Sequence, residues 1–310
     1  FGKAVASGDV TNDGYDDVLV GAPADDNGAS KDTGSVTVFS GNGGAPLTKK
    51  YGAAAKANLG NSVAAGDVDG DGKADIIAGA WKDDKPAAKV IKDAGSVSVF
   101  SGNGYAQIGS TKYGDVAKDY FGAAVSAGDI NSDGKDDIII GIPGFDQSAK
   151  DAGRAEVISS KNGLVLSSIN GAEAKDALGT AVAGNADINH DGFDDVIVGS
   201  PNAGATHTGS VTILYGPNGS RNQTIPGSAV KSLFGSSLAL GDVNGDRRAD
   251  ILVGAPKDDD VANKRTDSGS VTVLSGSGFG QLQKFHGSSA KANAGTSVAS
   301  GDINNDGSAD

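Results

Sequence analysis

Apolar and polar positions along the chain come in short bursts, and the bursts recur. An uninterrupted apolar run stands as VLV at 18–20, IIA at 76–78, III at 138–140, VIV at 196–198 and ILV at 251–253. Each run is short, follows an Asp-rich stretch and stops at a Gly, so each reads as a strand buried on both faces. Before the run lies a small-residue alternating strand, such as KAVAS at 3–7. After it, past a polar loop of variable length, lies a second alternating strand: GSVTVF 34–39, GSVSVF 95–100, GRAEVI 153–158, GSVTIL 209–214 and GSVTVL 269–274. A Gly/Asn turn, SGNG at 40–43 or SGSG at 275–278, leads to a weaker outer strand such as LQKFHG at 282–287. No segment sustains a 3.6-residue apolar period, so helices are not expected.

The pattern is a tandem repeat. GDVTNDGYDDVLVGAP at 8–23 returns as GDVDGDGKADIIAGAW at 66–81, GDINSDGKDDIIIGIP at 128–143, ADINHDGFDDVIVGSP at 186–201 and GDVNGDRRADILVGAP at 241–256; GDINNDGSAD ends the chain at 310. The leading Asp residues are spaced by 58, 62, 58, 55 and 60 residues. Four short strands per unit, Gly-rich turns and tandem repetition predict an all-β fold, a β-propeller of four-stranded antiparallel blades in a single domain, 1–310. A solenoid or a sandwich is the rival arrangement. The units fall at about 1–58, 59–120, 121–177, 178–233 and 234–293, with 294–310 incomplete: five full blades and the start of a sixth. In the fourth unit one extra residue separates Leu178 from Asp187, which reads as a β-bulge near Gly184–Ala186 or as a longer loop.

Every unit carries an acidic loop with oxygen-bearing side chains at relative positions 1, 3, 5 and 9. They are Asp9, Thr11, Asp13 and Asp17; Asp67, Asp69, Asp71 and Asp75; Asp129, Asn131, Asp133 and Asp137. The later loops give Asp187, Asn189, Asp191 and Asp195; Asp242, Asn244, Asp246 and Asp250; Asp302, Asn304, Asp306 and Asp310. Carboxylates crowded into nine residues repel one another unless a cation sits among them. Hard oxygen donors without His or Cys favour Ca²⁺, up to six ions, one per loop. Position 7 is expected to add a backbone carbonyl, from Tyr15, Lys73, Lys135, Phe193, Arg248 and Ser308. Gly at position 6 supplies a positive φ. An EF-hand would place a bidentate Glu at position 12; here Val20, Ala78, Ile140, Val198 and Val253 stand in the following apolar strand. The loop therefore joins two strands, and the role expected of the metal is structural. In the fifth loop Arg247 replaces the turn Gly, which predicts weak or distorted occupancy.

The combination of Phe-Gly, the nine-residue Asp loop and Gly-Ala-Pro resembles the FG-GAP repeat of integrin α-subunit propellers and their bacterial relatives. Phe1-Gly2 with Gly21-Ala22-Pro23 carries the pattern fully, as does Phe234-Gly235 with Gly254-Ala255-Pro256; Gly141-Ile142-Pro143, Gly199-Ser200-Pro201 and Gly79-Ala80-Trp81 drift from it. The resemblance implies a propeller that is seven-bladed when complete, with Ca²⁺ between strands 1 and 2 of the blades. It further implies that partners meet the opposite face, through the loops between strands 2 and 3: 24–33, 82–94, 144–152, 202–208 and 257–268. Breaking off inside the sixth unit suggests either a longer parent chain or completion by a neighbouring molecule, in which case open edges would drive self-assembly into a fibre.

Composition sharpens this reading. The chain carries 39 acidic and 26 basic residues, a formal charge of −13, and no Cys. Nucleic acid and membrane insertion are therefore not expected, nor is a thiolate site or disulfide framework. The proposed ligands account for 19 of the acidic residues, so much of the acidity is a metal requirement. Chemistry elsewhere is sparse: no nucleophile elbow, P-loop or dinucleotide fingerprint occurs. His190, His207 and His286 are isolated and read as solvated. The chain is not expected to be an enzyme. Trp81, the only Trp, reads either as a partner contact or as packing at the rim. Sequons at Asn218 and Asn222 mark candidate glycosylation sites. The expected function is an extracellular, secreted or cell-surface, calcium-binding adhesion, protein-interaction or self-assembly module. A glycan-binding propeller and the accessory domain of a secreted hydrolase are the alternatives.

Overall fold

The computed structural model describes every residue except Asn218, Ser220, Arg221 and Asn305. Five four-stranded antiparallel sheets follow one another, each with its strands in chain order. Blade 1 comprises β1 (Ala4–Gly8), β2 (Asp17–Ala22), β3 (Ser35–Phe39) and β4 (Pro46–Tyr51). Blade 2 comprises β5 (Ser62–Gly66), β6 (Asp75–Ala80), β7 (Ser96–Phe100) and β8 (Gln107–Tyr113). Blade 3 comprises β9 (Ala124–Gly128), β10 (Asp137–Ile142), β11 (Arg154–Ile158) and β12 (Val165–Asn170). Blade 4 comprises β13 (Ala181–Ala183), β14 (Val196–Ser200), β15 (Ser210–Leu214) and β16 (Asn222–Pro226). Blade 5 comprises β17 (Ser237–Gly241), β18 (Asp250–Ala255), β19 (Ser270–Leu274) and β20 (Gln281–His286). The innermost strands β1, β5, β9, β13 and β17 neighbour one another in that order, which makes the array a β-propeller. No helix occurs among the described residues.

The core lies between blades. Leu19, Val36 and Val38 of blade 1 pack with Val63, Ile76 and Ala78 of blade 2, and equivalent clusters join the later blades. Second strands are buried on both faces because a sheet covers each side, as their unbroken apolar runs require. Blade 1 is the exception. Val5 is 66% exposed and Val18 42%, whereas their counterparts Val63 and Ile76 are 8% and 0% exposed. No described blade covers that face of blade 1.

The Phe-Gly and Gly-Ala-Pro motifs meet at the blade junctions. The Gly60 carbonyl of blade 2 lies against Gly21 of blade 1, where a Cβ would come within 2.0 Å of that oxygen. The Gly60 N–H donates to Gly79 O of its own blade at 2.9 Å. The same contact recurs at Gly79, Gly141, Gly199 and Gly254, each facing the Phe-Gly glycine of the next unit. The preceding apolar residue is wedged into the interface: Leu59, Phe121, Leu178 and Phe234 are buried, while Phe1 is 83% exposed. The motif is therefore a blade-packing device, set by steric necessity at paired glycines.

Two units depart from the regular blade. In the fourth unit the β13 ladder stops at Ala183 opposite Ile197. Asn185 turns to φ 70, and pairing resumes where Asp195 N donates to Ala186 O at 2.8 Å. Gly184 and Asn185 thus stand opposite the single residue Val196, so the extra residue is taken up as a bulge within Gly184–Ala186, and β13 ends early because of it. The incomplete sixth unit forms no strand among its described residues; Gly301 and Asp310 pair within it through their backbones, and Ala294 and Ala309 bond back to blade 5.

Candidate metal centre

Each acidic loop spans the hairpin between the first and second strand of a unit, and its backbone is organised by its own carboxylates. In loop 1, Asp9 accepts the N–H groups of Asp13 and Gly14 at 3.0 and 2.8 Å. Asp67, Asp129, Asp187, Asp242 and Asp302 accept from positions 5 and 6 in the same way. Burial works against ionisation of Asp9, but the N–H donors of Gly14, Asp13 and Asn12 outweigh it and hold the carboxyl below its usual range. The position-5 carboxylates Asp13, Asp71, Asp191, Asp246 and Asp306 accept from position 7, at Tyr15, Lys73, Phe193, Arg248 and Ser308.

Position 9 differs from its neighbours. Asp17, Asp75, Asp137, Asp195 and Asp250 are fully buried, whereas positions 1, 3 and 5 are half-buried or exposed. Asp75 takes the N–H groups of Val68 and Asp69 on one oxygen and that of Gly102 on the other. Gly41, Ser160, Gly216 and Gly276 play the part of Gly102 in blades 1, 3, 4 and 5. The late Asp therefore ties the loop to the turn between strands 3 and 4, a link that the spacing alone does not reveal. Burial pushes the carboxyls of Asp75, Asp137 and Asp195 up to about 6, against the pull of those N–H donors; nearby carboxylates add to the rise.

Sequence reasoning placed positive φ at position 6 alone. Position 4 is left-handed as well, at Asn12, Gly70, Ser132, His190 and Gly245, with φ from 56 to 78°. Arg247 in loop 5 takes φ 68 and still donates its N–H to Asp242 at 2.7 Å. The fifth loop therefore keeps the backbone shape of the others, with the Asp242 hydrogen bond holding the non-Gly residue in place.

Loops of adjacent blades are stitched together. Asp136 and Asp194, at position 8, accept the N–H groups of Asp67 and Asp129 in the preceding loop at 2.8 and 3.0 Å. The Lys135 ammonium donates to the backbone carbonyl of Asp69. These position-8 carboxylates were missed from sequence because Ala74, Ala249 and Ala309 break the pattern there.

Two observations test whether the loops suit a hard cation. Asp67, Asp69 and Asp71 each present an oxygen within 4.8 Å of the others. Thr11 Oγ1 at position 3 and Asp133 Oδ1 at position 5 are buried oxygens with no hydrogen-bond partner. Unpartnered oxygens facing an all-oxygen cradle are what a hard divalent cation would satisfy.

Other singled-out residues are peripheral. His190, His207 and His286 are exposed. Trp81 is half-buried, its ring 5.2 Å from Tyr120 with the Lys82 ammonium 4.6 Å above it. Asn222 is exposed at the start of β16; Asn218 lies outside the described residues.

Comparison with known proteins accounts for these repeats. A sequence profile described as "FG-GAP repeat" matches residues 59–100, 121–157 and 234–274, and one described as "FG-GAP-like repeat" matches 4–78 and 187–253. Integrin alpha pat-2 of Caenorhabditis elegans is 34% identical over 66% of this chain, and integrin alpha-8 of Mus musculus is 32% identical over 64%. The chain spans 18% and 19% of those proteins' lengths. Among solved structures, a crystal structure of BBS1N in complex with ARL6DN aligns over 92% of this chain and 66% of that one, with TM-score 0.48 and 8% identity. With its junction glycines, its repeated acidic loops and its five blades, the chain belongs to the FG-GAP repeat β-propellers and is integrin α-like.

Proposed function

We propose that this propeller is a non-enzymatic adhesion or protein-interaction module held together by Ca²⁺ in its acidic loops, and that it works outside the cell. The observation that carries the metal reading is the Asp67–Asp69–Asp71 cluster, whose spacing of oxygen-bearing residues recurs in the sequence of the other loops. In each loop the side chains at positions 1, 3 and 5 and the carbonyl of position 7 would supply oxygens. The position-9 carboxylate would close the site while anchoring the neighbouring turn. The residues' work is structural: an ion would neutralise the crowded carboxylates and pin the inner hairpin of each blade. Extracellular calcium suits sites of modest affinity, which supports the compartment assigned. The names of the integrin relatives support the adhesion role.

The partner face would be the opposite end of the blades, where the loops between strands 2 and 3 gather. Trp81, Tyr120 and Lys82 form a mixed aromatic and cationic spot there, of the kind that anchors a protein partner. Among the described residues no helix is long and apolar enough to cross a membrane. Chelation with EDTA tests the metal reading. Removing several ions should lower the melting temperature by on the order of 10 °C, since each saturated site contributes a few kcal/mol. An unchanged melting temperature after verified calcium removal would refute it.

A further inference from the structure

An Asn followed by Gly is a chemically weak point in a chain. Asn is thermolabile, and Gly has no Cβ to keep its nitrogen away from the Asn side chain. Seven such pairs occur in the sequence, and the one at Asn218 lies outside the described residues. In the other six the Asn is exposed, so exposure does not tell them apart. Hydrogen bonding does.

Four pairs are held. Asn27 is closed into a tight hairpin, its N–H donating to Ser30 O at 3.0 Å and its carbonyl accepting from Ser30 N at 3.1 Å. The Gly163 N–H is spent on Ser159 O at 2.8 Å, and Asn162 Oδ1 accepts from Leu164 N at 2.9 Å. At the end of β12 the Gly171 N–H donates to Gly153 O at 2.8 Å. Asn244 is bonded through both side-chain atoms, Nδ2 donating to Asp250 and Oδ1 accepting from Asp246 N. Bringing the Gly nitrogen onto the Asn side chain would break at least one of these bonds in each pair.

Two pairs are not held. Asn42-Gly43 and Asn103-Gly104 occupy the same place in the turns between strands 3 and 4 of blades 1 and 2. The base of each turn is anchored, because the N–H groups of Gly41 and Gly102 donate to the buried Asp17 and Asp75. The tip is free. Among the described residues the N–H groups of Gly43 and Gly104 make no hydrogen bond, and neither do the side-chain amides of Asn42 and Asn103. Both glycines are left-handed, at φ 99 and 82, with open space where a Cβ would stand. Asn42 is the more restrained of the two. Its N–H and its carbonyl both bond Ser40 Oγ at 3.1 Å, whereas Asn103 bonds Ser101 Oγ through its N–H alone.

We propose that Asn103, and more slowly Asn42, are sites of spontaneous deamidation in the folded chain. The Gly104 nitrogen attacks Asn103 Cγ, and the new N–C bond closes a five-membered succinimide. The Cγ–Nδ2 bond breaks, and ammonia leaves with the proton displaced from the Gly104 nitrogen. Water then opens the ring at either carbonyl, giving aspartate or isoaspartate. Nothing is oxidised or reduced, and water is the only co-reactant. Each conversion replaces a neutral amide with a carboxylate, one residue beyond the N–H that holds the buried position-9 Asp. The acidic end of blades 1 and 2 thus gains negative charge with time. This goes beyond the calcium and adhesion reading and does not rest on it.

The full chain is incubated at neutral pH and body temperature for several weeks. Peptide mapping by mass spectrometry, with aspartyl and isoaspartyl forms separated, follows each pair. Asn103 should convert fastest and Asn42 next, both at least tenfold faster than Asn162 and Asn170. In the urea-unfolded chain the rates should converge, because the same Gly follows every Asn. Gly104→Ala should slow Asn103 at least tenfold and leave Asn42 unchanged; the open space at the tip admits the added Cβ. The proposal is overturned if Asn103 and Asn42 stay intact in the folded chain while converting in the unfolded one. It is equally overturned if Asn162 or Asn170 keeps pace with them, or if the unfolded chain retains the folded order.

Discussion

The second and fifth acidic loops share a backbone and differ in what it carries. Loop 2 places four carboxylates, one lysine and two glycines in nine residues; loop 5 places three carboxylates with two arginines. Both are left-handed at positions 4 and 6, at Gly70 and Gly72 in one and Gly245 and Arg247 in the other. In both, the first Asp accepts the position-6 N–H, at 2.8 and 2.7 Å. The conformation is therefore set by the first and last carboxylates acting on backbone N–H groups. On the proposed metal reading, affinity would be left to the side chains at positions 3 and 5 and to nearby charge. A glycine at position 6 makes the shape cheap, yet the shape survives without it.

Four experiments would break or sharpen that contrast. The largest effect should come from Asp69→Ala with Asp71→Ala, which strips loop 2 of two oxygens while leaving Asp67 and Asp75 to hold the fold. Calorimetry should count one ion fewer, and the calcium-loaded chain should lose about 3 kcal/mol, the share of one well-saturated site. Next comes the exchange of position 6. Gly72→Arg should cost about 1–2 kcal/mol through positive φ and added charge, and Arg247→Gly should return about 1 kcal/mol and tighten loop 5. Melting curves with and without calcium would read both variants; no change in either would remove Arg247 as the source of the difference.

The third test concerns pH. Burial raises Asp75, Asp137 and Asp195 to about 6 in the folded chain, against 3.8 for an ordinary Asp. The calcium-free fold binds protons that the unfolded chain does not. That stabilisation is fully present below 3.8 and is lost as pH rises through about 6. The chelated protein should therefore melt higher at pH 5 than at pH 7. The loaded protein should melt lower at pH 5, because protons compete with the ion. Parallel profiles would show that the carboxylates and the metal are not linked. The smallest effect belongs to Lys135→Ala. Its ammonium sits on the Asp69 carbonyl, and removing one charge beside loop 2 should tighten calcium there about threefold, as one partly screened charge allows.

Much of this was legible in the sequence. The apolar runs located every second strand, and the repeat located the blades, because a strand covered on both sides needs unbroken apolar residues. Ligand-type spacing located the loops. Three things were not legible. Val18 reads like Ile76 but is exposed, since its burial depends on a neighbouring blade and not on its own strand. The position-9 Asp reads as one more ligand, yet its bond to Gly102 or an equivalent joins segments about 26 residues apart, as Asp250 with Gly276 illustrates. Asp136 and Asp194 read as spare acid, although they bridge consecutive loops. In each case the missing information was contact between units, which periodicity within one unit does not carry.

The most direct test of the metal account is a calcium titration followed by amide NMR at position 6 of both loops. The Gly72 and Arg247 N–H groups report equivalent places, each bonded to the first Asp of its loop. The account predicts that both signals shift and that Gly72 saturates at a calcium concentration at least tenfold below Arg247. Signals that never move would contradict calcium binding in these loops. Simultaneous saturation would contradict the claim that side-chain charge, on a shared backbone, sets the affinity.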